Sequence, residues 1–411
     1  MFSPADPAPR AGTLEELRRV IRRIEGARPF RVAPAAPETV LGGELVETEA
    51  GPLLTVRREF PLHHRHGRIA LDRALAMSAD ALAVLSRDGA LPDPRRLVFL
   101  DTETTGVAGG TGTYAFLVGA GWIEDDRVVV VQHFMRDLDE EPALLAALTP
   151  LLEAASGLVT YNGSAFDVPL LETRFILARR RWPATLPHVD LLHPARRVWA
   201  ARFVDCRLLT LEREVLGHRR DEDVAGALIP SLYFEFLRRR HPAPLGPVFT
   251  HNRQDVLFLV ALFGWLGDAL ADPERGLDDG LDLAGVGRLW ERADPERAVA
   301  CYRAALAVGL PVPLAHAVRL RLAAWEKRKT RWETACALWQ AVTTAPAFDP
   351  RPWEELAKYH EHRARDAAAA QSVVAAALRR AEAAGAPARV MRAFAYRLAR
   401  LDRRLARRQL V

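Results

Sequence analysis

Asp101 and Glu103 close the apolar run Leu97-Val98-Phe99-Leu100. On an extended strand alternate side chains share a face, so both carboxylates point one way and Thr102 points the other. Like charges held that close raise each other's pKa and call for a cation between them. Two further acids stand in comparable places. Asp167 opens an apolar helical pattern just after the polar turn Asn162-Gly163-Ser164, and Asp255 immediately precedes the apolar run from Val256. His251 lies one turn before Asp255 on the same helix face. Acids at the polar edges of buried elements are costly in isolation, and convergence on divalent metal neutralises them. All-oxygen ligation suits Mg2+ or Mn2+ rather than zinc.

The elements that must position these groups follow from periodicity. Residues 96–270 alternate strands and helices. Strands are expected at 97–103, 113–123 and 128–135, joined by Gly-rich or Asp-rich turns as a meander. A helix at 140–155, a short strand at 158–161, a helix from Asp167 and an extended piece at 187–190 come next, before a mostly helical stretch to Leu270. Three antiparallel strands and then two parallel ones with helical crossovers make a mixed α/β sheet. Ahead of it, residues 31–95 form a strand-rich leader expected to pack on that domain, with strands at 44–49 and 53–60 and a helix near 71–86. Residues 1–30 form a helical segment, Thr13 and Glu16 being spaced as a capping box.

Residues 281–411 read as helix pairs with an internal period. Ala298, Tyr302 and Ala305 recur as Ala335, Trp339 and Val342 after 37 residues, and as Ala369, Val373 and Ala376 after a further 34. Trp353, Leu356 and Ala357 hold the first-helix positions of a tetratricopeptide-like repeat. Such an all-α array is usually an interaction or positioning module, and helical hairpins of no particular family fit the same pattern.

Bulk properties set outer limits. Apolar content of 49% and charged content of 27% belong to an ordinary globular chain, and 411 residues suffice for two or three domains. Cys206, Cys301 and Cys336, odd in number and widely spaced, argue against a disulfide framework or zinc ribbon and fit a reducing, cytoplasmic setting. No signal-peptide pattern opens the chain and no apolar run reaches membrane-span length, so no membrane is expected. Lys327, Lys329 and Lys358 are the only lysines, so the basic residues are nearly all arginine, consistent with coding bias. Eight arginines against one aspartate in residues 388–411 concentrate a charge of +7 in the last helix, either the polar face of a capping helix or an electrostatic handle for nucleic acid.

Other candidates have plain alternatives. "GVAGGTGTY" lacks a following Lys-Ser/Thr and leads into a strand, so it is expected to be a hairpin turn rather than a phosphate loop. His63, His64 and His66 in "PLHHRHGR" have no partner cysteines, and a polar loop is expected there rather than zinc. Arg179, Arg180 and Arg181, with Arg196 and Arg197, suit either backbone phosphates or solvated helix ends. Asp190 is expected to be a structural acid near the site, and Asp221, Glu222 and Asp223 a loop rather than ligands. For Tyr114, Phe116 and Phe166 the choice lies between stacking on bases and packing, with packing the default.

The ordered set D-x-E (Asp101, Glu103), N-x-x-x-F-D (Asn162, Phe166, Asp167) and H-x-x-x-D (His251, Asp255) resembles the DEDD exonucleases of the ribonuclease H-like superfamily. With "FLDTETTGVAGGTGTYAFLVGAG", "YNGSAFDVPLLETRF", "VDLLHPARRVW", "LLTLEREVLG" and "IPSLYFEFL", residues 95–270 are similar, more closely, to the YprB-like family of predicted ribonuclease H-like nucleases. The resemblance implies a two-metal phosphodiesterase releasing nucleotides from the 3′ end of single-stranded DNA or RNA. Asp101 would bridge two Mg2+ or Mn2+ ions, Glu103, Asp167 and Asp255 would complete their shells, and Thr104, Asn162 and Phe166 would face the substrate. The base would be His251. Its spacing to Asp255 is that of the tyrosine subclass whereas its identity is that of the histidine subclass, and one residue turns a helical side chain by about 100°. The alternative from another class is a nucleic-acid-binding or protein-scaffolding protein whose helical repeats bind a protein partner and whose acidic site is weak or inert.

Overall fold

A computed structural model describes residues 35–86, 92–106, 111–182, 186–221 and 223–409. The capped helix expected within residues 1–30, Glu222 and most of the Gly-rich turn after Gly106 lie outside the described residues.

The leader opens with α1 (Pro37–Leu41), then strands β1 (Glu44–Thr48) and β2 (Gly51–Pro61) and the ribbon β3 (Arg65–His66) and β4 (Ile69–Ala70). The helix expected near 71–86 is instead a 3-10 segment, Leu71–Ala76, followed by α2 (Ala79–Leu85). Ser78 causes the break, since its hydroxyl accepts from the Ala81 N–H and starts a new helix.

The α/β part contributes β5 (Leu97–Thr104), β6 (Ala115–Glu124), β7 (Arg127–Phe134), α3 (Glu141–Ala154), β8 (Gly157–Thr160), α4 (Asp167–Leu177) and β9 (His188–Asp190). One seven-stranded sheet runs β1-β2-β7-β6-β5-β8-β9. The leader strands are thus no separate layer: β2 pairs antiparallel with β7 and extends the sheet. β5 lies between antiparallel β6 and parallel β8. Its first four residues are fully covered, and burial falls off from Asp101, so both acids stand at the carboxyl end of a central strand.

Next come α5 (Leu192–Trp199), α6 (Leu208–Glu214), α7 (Ile229–Arg239), α8 (Gly246–Ala271) and α9 (Pro273–Gly276). The span Ala243–Ala271 is, by length and composition, long and apolar enough to cross a membrane, contrary to the expectation of no such segment. In this fold 83% of that window is buried, because α8 is apolar around most of its circumference and runs through the main core beside Phe99, Val159 and Trp199.

The remainder is helical: α10 (Gly280–Trp290), α11 (Pro295–Val308), α12 (Val312–Arg328), α13 (Trp332–Thr343), α14 (Pro350–Lys358), α15 (Ala367–Ala383) and α16 (Ala388–Gln409). The first two repeat sets are buried, Ala298-Tyr302-Ala305 and Ala335-Trp339-Val342. In the third the buried residues are Ala370, Val374 and Ala377, one position later than expected. α15 starts afresh after residues 364–366 at its own cap, Asp366, whose carboxylate accepts from the Ala369 N–H at 2.9 Å, so its buried face is not set by the helix before it.

Candidate active site

Asp101 is held by α8, which packs on the face of the sheet toward which its side chain points. The Asn252 amide on α8 donates to Asp101 Oδ2 at 2.9 Å and lies 3.3 Å from the Asp101 carbonyl oxygen. Asn252 is oriented in turn by Gln132 on β7, whose Nε2 donates to Asn252 Oδ1 at 2.9 Å and to the Phe249 carbonyl at 2.8 Å. Room for this amide comes from Gly119, the β6 partner of Asp101, where a Cβ would stand 2.2 Å from Asn252 Oδ1. Neither Asn252 nor Gly119 was singled out from the sequence. Their signals are faint: an asparagine next to His251, and a glycine within a strand.

Asp167 occupies the first turn of α4 without capping it and accepts from the Thr102 hydroxyl at 2.5 Å. Thr102, on the opposite face of β5 from its acidic neighbours, is therefore the group that meets Asp167. His251 on α8 places Nε2 3.5 Å from Asp255 Oδ2 and 4.0 Å from Glu103 Oε1. Its Nδ1 is 2.6 Å from Asp223 Oδ1. The loop acid Asp223 thus sets the imidazole's orientation, a role its sequence context did not reveal.

The electrostatics carry the mark of crowded buried carboxylates. Burial first, then Asp255, Glu103 and Asp167, push the Asp101 carboxyl well above its usual range, against the Asn252 hydrogen bond. Burial and the Asp255, Asp167 and Asp223 charges raise Glu103 likewise. Burial lifts Asp167 to about 6, partly countered by Thr102. Asp255 is raised by burial in spite of Arg220 and His251.

Arg220 is the one guanidinium among these acids in the described residues. Its Nη2 donates to Asp255 Oδ1, and its Nε donates to Glu212 Oε2 at 2.7 Å. Its Nη1 faces Asp223 Oδ2 at 3.5 Å. The ion pairs more than offset desolvation, so its pKa is raised further and it stays charged. Glu212 also meets His66 Nε2 at 2.7 Å. The polar loop expected at "PLHHRHGR" therefore fails at its last histidine: His66 is 2% exposed, paired with a residue far along the chain. His66, Glu212 and His218 bring ligating atoms within 4.8 Å of one another, but both Glu212 oxygens are engaged by His66 and Arg220.

One guanidinium cannot balance Asp101, Glu103, Asp167, Asp255 and Asp223. An all-oxygen, electron-rich set with raised pKa values is the environment that divalent cations complete, so the residues present fit Mg2+ or Mn2+.

A cavity of about 440 Å³ opens beside the acids, lined by Asp101, Thr102, Thr104, Asn162, Phe166 and Asp167 among others. Asn162 adopts a left-handed φ of 66°, and Asp190 fixes that turn, accepting from the Asn162 N–H at 2.7 Å and the Ser164 hydroxyl at 2.5 Å. Burial pushes the Asp190 pKa up, but these hydrogen bonds prevail and hold it below the usual range. Phe166 is 56% exposed at the cavity wall, whereas Phe116 stacks on Tyr233 at 3.9 Å and Tyr114 lies under the Arg174 guanidinium at 4.0 Å. Of the three aromatic candidates, only Phe166 lines the cavity. Arg180 pairs with Glu49 at 2.5 Å, and none of Arg179, Arg180, Arg181, Arg196 or Arg197 lines the cavity.

Residues 98–267, the stretch that carries all four acids, match the family model described as the RNase H superfamily. That match gives residues 98–267 their class, a ribonuclease H-superfamily domain, and the all-helical region follows it. The chain is also 34% identical over 356 residues to the uncharacterized protein YprB of Bacillus subtilis (strain 168), covering 84% of each chain. It belongs to the YprB family.

Proposed function

We propose that the chain is a metal-dependent 3′–5′ exonuclease acting on single-stranded nucleic acid. The observation that carries this reading is the gathering of Asp101, Glu103, Asp167 and Asp255 beside an open cavity, with a single guanidinium for counter-charge among the described residues. Two divalent ions held there would activate water and neutralise charge on the leaving oxygen. Asp101, fixed by Asn252, with Glu103, Asp167 and Asp255, would hold the ions. His251, its Nδ1 turned to Asp223, presents Nε2 to the acids and accepts the proton of the attacking water. Phe166 stacks against the terminal base, while Thr104 and Asn162 border the sugar-phosphate path. The C-terminal hairpins form a tetratricopeptide-like array for positioning or a protein partner. Cys206, Cys301 and Cys336, which form no disulfide among the described residues, fit a cytoplasmic setting.

The test is incubation of 5′-labelled DNA and RNA oligonucleotides with Mg2+ or Mn2+. Wild type should shorten them stepwise from the 3′ end, and Asp101→Asn and Asp167→Asn should each lose roughly 10³-fold, the scale of removing one preorganised electrostatic group. Internal cuts would assign endonuclease action. No cleavage of any substrate with either metal would favour the scaffold.

A further inference from the structure

The last helix carries a second charged surface, separate from the acids. At about 100° per residue, Arg389, Arg392, Tyr396, Arg400, Arg403 and Arg407 fall within roughly 80° of one another, one continuous stripe about 27 Å long. All six are exposed, Tyr396 at 70%. The opposite face is occupied, since Phe394 and Leu401 are buried against Ala370, Val374 and Ala377. Glu361, itself buried, gathers the charges at the margin: Arg400 at 2.6 Å, Arg397 at 3.6 Å and Arg404 at 3.9 Å. Arg389, Arg392, Arg403 and Arg407 make no ion pair among the described residues, and Asp402, the only acid of the helix, is turned away to Gln371.

We propose that this stripe is a docking track for single-stranded nucleic acid. Four unpaired guanidiniums spaced three, four or more residues apart offer repeated contacts to a backbone with one charge per nucleotide, and the exposed Tyr396 ring between them offers a face for a base. A membrane surface fits poorly: the apolar side of the helix is already packed, leaving nothing to insert among lipids. A protein partner would need acidic periodicity to match, whereas a polynucleotide has it by construction. The track deepens the nuclease reading by giving the same substrate class a second foothold, and it is tested without cleavage.

The experiment measures fluorescence anisotropy of a labelled oligo-dT of roughly 30 nucleotides over 50–200 mM salt, with EDTA present to prevent metal-dependent cleavage. Replacing Arg389, Arg392, Arg403 and Arg407 by Ala should flatten the slope of log K against log salt by about 3, at roughly 0.7 for each phosphate no longer neutralised. The same four changed to Lys should keep the slope, and Tyr396→Ala should weaken binding about tenfold without changing it. Melting temperature and cleavage of a very short oligonucleotide should match wild type in the Ala variant, which separates a lost track from a lost fold or a failed active site. An unchanged slope in the Ala variant would overturn the proposal. So would binding of wild type to anionic vesicles, but not to oligo-dT, through these four arginines.

Discussion

Gly119→Ala is the most economical way to disturb the site without touching an acid. Gly119 does not sit in the left-handed region, so alanine suits its backbone and the consequence is purely steric. The added Cβ would meet Asn252 Oδ1 at 2.2 Å, Cγ at 2.8 Å and Nδ2 at 2.9 Å. Asn252 cannot yield cheaply, because Gln132 holds its Oδ1 and it is fully buried on α8. Overpacking of this kind costs about 1–3 kcal/mol, and losing a hydrogen bond to a charged group about 1.5–3 kcal/mol. Melting should fall by roughly 2–10 °C. Because Asp101 loses its donor, a displacement near 1 Å should also lower metal-dependent cleavage by about 10²-fold. The double variant Gly119→Ala/Asn252→Ala separates the two effects: removing the atoms the new methyl would strike should recover only the overpacking part of the melting loss, while activity stays low because Asp101 remains without its donor. A Gly119→Ala protein that melts and cleaves like wild type would refute the reasoning.

Arg220→Gln should destabilise the metal-free protein by about 3–5 kcal/mol, the cost of leaving buried Asp255 and Glu212 without their cation. Mn2+ should then restore more melting temperature than it adds to wild type, and an equal increment in both would contradict this. The raised Asp101, Glu103 and Asp167 carboxyls predict a pH dependence. Without metal, the folded chain keeps protons that the unfolded chain has released above pH ~4, so this contribution to stability is full below that and lost as pH rises through about 6. Divalent ions relieve the repulsion, so the melting increment from Mg2+ should grow between roughly pH 5 and 8. Subtracting the EDTA curve removes remote groups such as buried His133, whose pKa burial pushes down to about 4. A flat increment would count against the site.

The acids were legible because each announces itself locally, as a charge where an apolar run stops. Alternation along β5 and the helical turn from His251 to Asp255 are short-range facts. Their supports were not legible, because they arise from interactions between distant stretches. Asn252 reaches Asp101 across 151 residues, and His66 reaches Glu212 across 146. No period in the sequence joins such pairs, and Arg220 and Asp223 look like ordinary loop charges until the chain closes around them. The sheet was read short for a related reason: β2 finds β7 only across the intervening β3–β6 segment. In the helical region the third buried set falls at Ala370, Val374 and Ala377 because α15 starts at the Asp366 cap after a break in the helix, and residue periodicity alone does not fix where that break falls.

Anomalous diffraction from crystals grown with Mn2+ and a short, cleavage-resistant oligonucleotide bears most directly on the central claim. Two manganese peaks about 3.5–4 Å apart should appear, bridged by Asp101, with Glu103, Asp167 and Asp255 completing their shells and His251 Nε2 facing the attacked phosphorus. Manganese absent from these carboxylates, or bound instead at His66, Glu212 and His218, would contradict the account.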